Sequence, residues 1–181
     1  MKRVLIFGSN STLAKKIKSF IKNDYLVTSV TKKKIDFFKK NSPRLVHKVL
    51  LEVRPDIIIN FAGVLGSNND NYTKVYDVNF LPNWEIVKFY INNKTKKKVR
   101  IILIGSSSYK KGKANYMLYT SSKAALHNLY QAAKEKFKNT YINIDIFHPP
   151  RFKSKLIRSL QKKGNFTKTD IIAKTLSKKI K

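Results

Sequence analysis

The sequence predicts an α/β fold, a parallel sheet wound on both faces by helices in three layers. Two observations carry this prediction. Short, wholly apolar runs such as Val4–Phe7 and Ile57–Ile59 recur along the chain, as expected of strands buried on both faces. Longer stretches with apolar residues at helical spacing lie between them, and this alternation implies parallel strands joined by right-handed crossovers. With 181 residues and no linker or internal repeat, the chain is expected to form one domain over residues 1–181.

Val4–Phe7 is the first strand, ended by the turn-forming cluster Gly8-Ser9-Asn10-Ser11-Thr12. Leu13, Ile17, Phe20 and Ile21 recur at helical spacing, so this turn opens a helix. Tyr25–Thr31 is the second strand, closed by Lys32-Lys33-Lys34, and Ile35–Phe38 is a candidate third. Ser42 as cap and Pro43 at the first helical position start a helix through Val53. Ile57–Asn60 is a central strand that runs out at Phe61-Ala62-Gly63, and one helix is expected from about Asn71 to Ile91. Val99–Ile104 is a strand, Tyr116–Phe137 the longest helix, and Tyr141–Phe147 a sixth strand stopped by His148-Pro149-Pro150. A last helix is expected over Thr169–Ile180, with no seventh strand after it.

Composition narrows the function classes. Lys and Arg number 39 against 10 Asp and Glu, a net charge of +29, which raises nucleic acid as a partner. The basic residues are nearly all Lys and spread from Lys2 to Lys181, whereas specific readers favour Arg for bidentate contacts. A solvated lysine surface therefore outweighs the nucleic-acid reading, although an anionic substrate would be drawn to it. No apolar run approaches the ~20 residues of a membrane span, no secretory signal opens the chain, and there is no cysteine. A cytoplasmic protein is the expectation.

In doubly wound sheets ligands bind at the carboxyl ends of the strands. The polar groups that follow each strand are therefore the candidates: Gly8 to Thr12, Thr31 to Lys34, Asn60 to Gly63, Ser106, and Pro149 to Ser154. Lys123 follows Tyr119 by one helical turn, so the two share a face. A free phenol titrates near ~10, and a nearby ammonium favours the phenolate, bringing Tyr119 toward acid–base work at neutral pH. Tyr116 has Thr120 at the same spacing and lacks that ammonium. Ser106 precedes Tyr119 by thirteen positions and Asn79 precedes Ser106 by twenty-seven. Ser107 and Ser108 compete for the serine position, and Ser106 fits best because it follows Ile104-Gly105 directly.

At these spacings Asn79, Ser106, Tyr119 and Lys123 resemble the Asn-Ser-Tyr-Lys tetrad of the short-chain dehydrogenase/reductase family, whose domain is Rossmann-type. Asn60-Phe61-Ala62-Gly63 resembles the family's Asn-Asn-Ala-Gly motif, which steadies the sheet and passes beneath the cofactor. Tyr119 to Leu126 resembles its Tyr-x-Ala-Ser-Lys-Ala-Ala run, and Pro149 to Ser154 its Pro-Gly-x-x-x-Thr segment over the nicotinamide. The compressed stretch from Ile35 to Asn60 resembles dTDP-dehydrorhamnose-reductase-type sugar-nucleotide enzymes. The resemblance implies an oxidoreductase that interconverts a carbonyl and an alcohol, with a sugar, polyol or sugar nucleotide as a candidate substrate. It also implies a homodimer or homotetramer paired through the helices carrying Asn79 and Tyr119.

The cofactor residues the resemblance implies are Gly8, Ser9, Asn10, Ser11, Thr12, Leu13, Thr31, Lys32, Asp36, Asn60, Ala62, Gly63, Tyr119, Lys123 and Pro149. Thr31-Lys32-Lys33-Lys34 carries no carboxylate and three ammonium groups, which favours NADP(H) over NAD(H). Asp36 matches the family's adenine-contacting Asp. Three departures stand out. Thr12 and Ala14 replace two glycines of the phosphate turn, Pro150 replaces the Gly after Pro149, and the chain ends where the family has a further strand. These departures keep open a non-catalytic nucleotide sensor or scaffold on the same fold. His47, His127 and His148 show no spacing that suggests a metal site, and Trp84 reads as a core or oligomer contact.

Overall fold

A computed structural model of the chain describes residues 1–66, 70–156 and 165–180. Five strands form one parallel sheet: β1 (Lys2–Phe7), β2 (Tyr25–Val30), β3 (Ile57–Asn60), β4 (Val99–Ile104) and β5 (Ile142–Phe147), in the order β2-β1-β3-β4-β5. Six helices accompany them: α1 (Thr12–Ile21), α2 (Ser42–Val53), α3 (Tyr72–Asn79), α4 (Leu81–Asn92), α5 (Met117–Lys136) and α6 (Thr169–Ile180). The chain leaves β1 to one side for β2 and to the other for β3. The carboxyl ends of β1 and β3 therefore flank the switch point where such sheets open a crevice. No helix among the described residues is long and apolar enough to cross a membrane.

Strand alternation builds the two inner faces. Val4 and Ile6 of β1, with Ile57 and Ile59 of β3, meet Leu13, Ile17 and Ile21 of α1 and Ile172 and Leu176 of α6. Leu5, Phe7, Ile58, Ile101 and Leu103 point the other way, against Val46 and Leu50 of α2, Ile86 of α4 and Leu126 of α5. Trp84 packs on this second face as a partly buried side chain. Apolar strands with almost no exposed surface on either face are what a sheet covered by two helical layers requires.

Three elements differ from expectation. Ile35–Phe38 is not a strand: Lys34 N and Ile35 N both donate to Thr31 O at 3.0 Å, so the backbone curls after β2. Its apolar residues instead plug the core, with the Phe37 and Phe7 rings 6.3 Å apart. The helix expected from Asn71 to Ile91 is two helices, α3 and α4, divided at Phe80. Pro82 has no N–H to continue the ladder, and its ring would clash with the carbonyl four residues back. Asn41, without a side-chain bond, holds the cap position of α2, and Ser42 is already helical and buried.

The break between α3 and α4 brings three asparagines together. Asn60 Nδ2 donates to Asn83 Oδ1 at 3.1 Å, and Asn83 Nδ2 donates to Asn79 O at 2.9 Å. Asn79 Nδ2 donates to Ser122 Oγ at 3.0 Å, whose hydroxyl donates to Tyr119 O at 2.8 Å. This buried chain of amides ties the end of β3 to α3, α4 and α5. Asn83→Ala is expected to lower unfolding free energy by about 2 kcal/mol, because it orphans Asn60 Nδ2 and Asn79 O in the interior. Chemical denaturation of the variant beside the parent checks this, and an unchanged midpoint would contradict it.

Candidate active site

A cavity of about 750 Å³ opens at the switch point. Gly8, Asn10, Ser11, Thr12 and Leu13 line its floor, Thr31, Lys32 and Asp36 one end, and Ala62 and Gly63 its middle. Ser106, Tyr119 and Lys123 line the other end, and Pro149 lies on the segment that covers it. Three predicted residues, Ser9, Asn60 and Asn79, stand behind this wall and hold it in place. Residues 157–164 lie outside the described residues.

The floor follows from one glycine. Gly8 has φ +63°, and a Cβ there would collide with the backbone of Phe61 and Ala62, so β1 can turn this close to β3 only through glycine. Ser11 then caps α1 by accepting from Ala14 N at 3.2 Å, which leaves the N–H groups at the start of the helix directed at the cavity. Ser9 lies fully buried beneath the turn, and its hydroxyl has no hydrogen-bond partner among the described residues. Behind Ala62 and Gly63, Asn60 Oδ1 accepts from Ala62 N at 2.9 Å. Asn79 clasps Val64 twice, accepting from its N–H at 2.9 Å and donating to its carbonyl at 3.0 Å.

At the end of β2 only Lys32 of the three lysines faces the cavity. Its ammonium lies 3.8 Å from Asp36, which also accepts from Phe38 N at 3.2 Å. The positive charge expected there is therefore partly compensated.

At the opposite end, Lys123 is buried and its ammonium donates to Ile104 O at 3.0 Å, 5.9 Å from the centre of the Tyr119 ring. Burial lowers its pKa from 10.5 to about 8. Burial also raises the pKa of Tyr119, and a hydrogen-bonding interaction with the Ser106 side chain pulls in the opposite direction. It is Ser106, rather than Lys123, that eases ionisation of the phenol. Ser106 Oγ also accepts from Ser108 N at 3.2 Å, and Ser107 is exposed.

Residues 149–156 fold back over the cavity, where Lys155 N donates to Thr12 Oγ1 at 3.4 Å and Arg151 O accepts from Thr167 N at 2.9 Å. Several residues around the site were not singled out from sequence. Asn83 and Ser122 complete the amide chain, Lys113 and Tyr116 line the cavity, and His148 contacts the Ser106 backbone. His148 had a usable signal, because it directly follows β5 at the carboxyl end of the sheet.

The arrangement fits a nicotinamide dinucleotide. A helix N-terminus and glycine turn offer donors suited to a diphosphate, and a buried ammonium lies beside a phenol and a hydroxyl. The short chain dehydrogenase family model matches residues 2–165. The structure of ElxO with NADP bound has a TM-score of 0.80 at 22% identity, covering 97% of this chain and 90% of that one. A short-chain dehydrogenase from Burkholderia cenocepacia in complex with NADP has a TM-score of 0.85 at 13% identity, covering 99% and 84%. A 4-hydroxyisoleucine dehydrogenase complexed with NADH has a TM-score of 0.82 at 22% identity, covering 100% and 91%. These neighbours share the fold. No curated protein matches the sequence.

The buried ammonium has a measurable signature. Between pH 8 and 10.5 the unfolded chain still holds the Lys123 proton that the folded chain has released, so this group's contribution to stability rises with pH across that window. At pH 7 both states are charged and the folded protein bears the whole desolvation cost. Relative to Lys123→Met, the ligand-free parent is expected to gain roughly 3 kcal/mol of unfolding free energy from pH 7 to 10.5. Denaturant titrations of both proteins across that range test it, and a constant difference between them would refute it.

Proposed function

The chain belongs to the short-chain dehydrogenase family, and from that membership we propose an NADP(H)-dependent reductase or dehydrogenase that interconverts a carbonyl and an alcohol through Tyr119, Lys123, Ser106 and Asn79. As a member of this family it is an NAD(P)-dependent oxidoreductase. The observation that carries the finer reading is the convergence of Tyr119, Ser106 and buried Lys123 on one end of the cavity. Residues 1–181 would act as one domain carrying cofactor and catalytic groups together.

A nicotinamide held at this end of the cavity would supply or accept the hydride. Tyr119 gives its phenolic proton to the substrate oxygen in reduction and takes it back in oxidation. Ser106 donates a hydrogen bond to that same oxygen, which steadies the charge developing on it. Lys123 offers its remaining N–H donors to the nicotinamide ribose and favours the ionised phenol once a ligand closes the cavity. Both ends of the Asn79 amide are engaged with Val64 and Ser122, so its part in proton relay would be to hold the backbone that a water bridges. Gly8 to Leu13 receive the diphosphate, with Thr31, Lys32 and Asp36 at the adenosine end.

On the substrate side Lys113 and Arg151 line the cavity, which suits a carbonyl compound bearing a negative charge, a sugar nucleotide among the candidates. The sensor alternative draws its support from Thr12 Oγ1, which already bonds the covering segment where a cofactor would pass.

Two measurements test the reading. Tyr119→Phe is expected to reduce turnover by about 10²–10⁴-fold while NADPH still binds. Calorimetric titration that detects neither NADPH nor NADH binding to the parent would overturn the assignment, and binding without turnover would favour the sensor. The second concerns cofactor choice. Lys32 is exposed and partly neutralised by Asp36, so its contribution to the 2′-phosphate is expected to be about 1 kcal/mol. Lys32→Ala should therefore narrow the NADPH-to-NADH affinity ratio by about fivefold, read in the same calorimeter. An unchanged ratio would remove Lys32 from cofactor selection.

A further inference from the structure

The pairing of β4 with β5 ends where Gly105 N donates to Phe147 O at 2.8 Å. Pro149 follows and has no N–H, so the backbone cannot extend the ladder. The backbone of Ser106 that follows is met by a side chain, and its carbonyl also accepts from Tyr109 N at 3.2 Å. His148 Nδ1 lies 3.1 Å from Ser106 N and 3.0 Å from Ser106 O. Its other nitrogen lies 3.2 Å from His127 Nδ1 on α5. The Tyr109 ring stacks on both imidazoles, with centroids 4.1 Å from His127 and 4.2 Å from His148. A Cβ on Gly105 would run into the His148 ring, so glycine at that position admits the contact.

We propose that His148, oriented by His127 and Tyr109, is a positioning residue for Ser106, its neutral ring accepting the Ser106 N–H and so fixing the hydroxyl that meets the substrate oxygen. This rests on the functional reading above. With its proton on the nitrogen facing His127, His148 accepts from Ser106 N–H and donates to His127. With the proton on Nδ1 it donates to Ser106 O and accepts from His127. Both tautomers link α5 to the end of β4, and the first, which alone receives Ser106 N–H, is the one that positions Ser106. The imidazolium keeps the donor to Ser106 O but loses the acceptor for Ser106 N–H.

The surroundings oppose that imidazolium. Burial is the largest influence lowering the His148 pKa below 6.5; the Ser106 bond raises it, and His127, Lys123 and Lys110 lower it further. His127, Tyr130 and Lys123 face the ring system from α5, and Tyr109 and Lys110 from the segment after β4. Ser106 is then held from two sides, its backbone by His148 and its hydroxyl by Ser108 N.

Two-dimensional NMR of the ligand-free protein tests the coupling without any turnover. The Ser106 amide and the His148 ring should shift together, with one midpoint below 6.5. In His148→Asn, whose amide carries an acceptor and a donor but does not titrate, the Ser106 amide should lose this pH response. In NADPH-driven reduction of 9,10-phenanthrenequinone, His148→Leu should lower kcat about tenfold or more with KM for NADPH unchanged. His148→Asn should recover most of that loss and flatten the acid limb of the profile. A Ser106 amide indifferent to His148 titration overturns the proposal, as does a parental acid limb kept in His148→Asn. Parallel loss of kcat and NADPH binding in His148→Leu would show a structural role and also overturn it. Failure of the parent to bind either nicotinamide dinucleotide sinks the functional reading itself, and is seen separately.

Discussion

The arrangement depends first on Asn79. Its side chain has no exposed surface, yet its amide acts in two directions: it clasps the Val64 backbone after β3 and reaches across to Ser122 on α5. A polar group in such a place is tolerated only when its donors and acceptor are matched, and here they are. Through Asn83 the same network reaches Asn60 and the loop beneath the cavity. The distance between the Ala62–Gly63 wall and the Tyr119 helix is thus set by hydrogen bonds, which are directional, and not by apolar contact alone. That would matter for the proposed chemistry, in which a reacting oxygen meets both Tyr119 and Ser106 in one close geometry.

Lys123 shows the opposite strategy. Its ammonium is buried with one carbonyl as partner, an arrangement costly enough to bring its pKa down to about 8. The amide network surrounding it is satisfied, so this cost is concentrated at one group facing the cavity. A ligand that supplies oxygen acceptors there would relieve part of it, and binding would then draw on strain already present in the free protein. The Ser9 hydroxyl is a second unmet group, buried behind the cavity wall with no hydrogen-bond partner among the described residues. Unmet polar capacity thus sits at Lys123 and beneath the glycine turn, while the buried asparagines between them are matched by partners.

The parts legible in the sequence are those governed by local rules. Five strands, the turn at Gly8 and the helix placing Lys123 a turn after Tyr119 each follow from periodicity or steric need within a few residues. Ile35–Phe38 defeated that approach because a short apolar run has the same composition whether it lies in a sheet or plugs a core. The division of α3 from α4 was signalled by Pro82, but the consequence, Asn83 turned inward onto Asn60, required the tertiary arrangement. His127 and His148 are twenty-one residues apart and meet only because β5 returns beside β4. Spacing along the chain says nothing of such a pair; position at the carboxyl end of the sheet does.

The altered glycine turn is best understood by separating backbone need from space. Of positions 8, 12 and 14, Gly8 alone has the left-handed conformation, and a Cβ there would collide with the backbone of Phe61 and Ala62. Thr12 and Ala14 lie within α1, where ordinary helical angles suit any L-residue. What glycine would provide at those two positions is room. Ala14 uses that room for packing, fully buried against the sheet, and leaves the cavity untouched. Thr12 uses it at the cavity wall, where its hydroxyl accepts from Lys155 N on the covering segment. The departure therefore falls on access more than on the shape of the turn. A diphosphate seated at this helix start would accept the Thr12 O–H while the same oxygen still accepts from Lys155 N, which would tie occupation of the floor to the position of the cover.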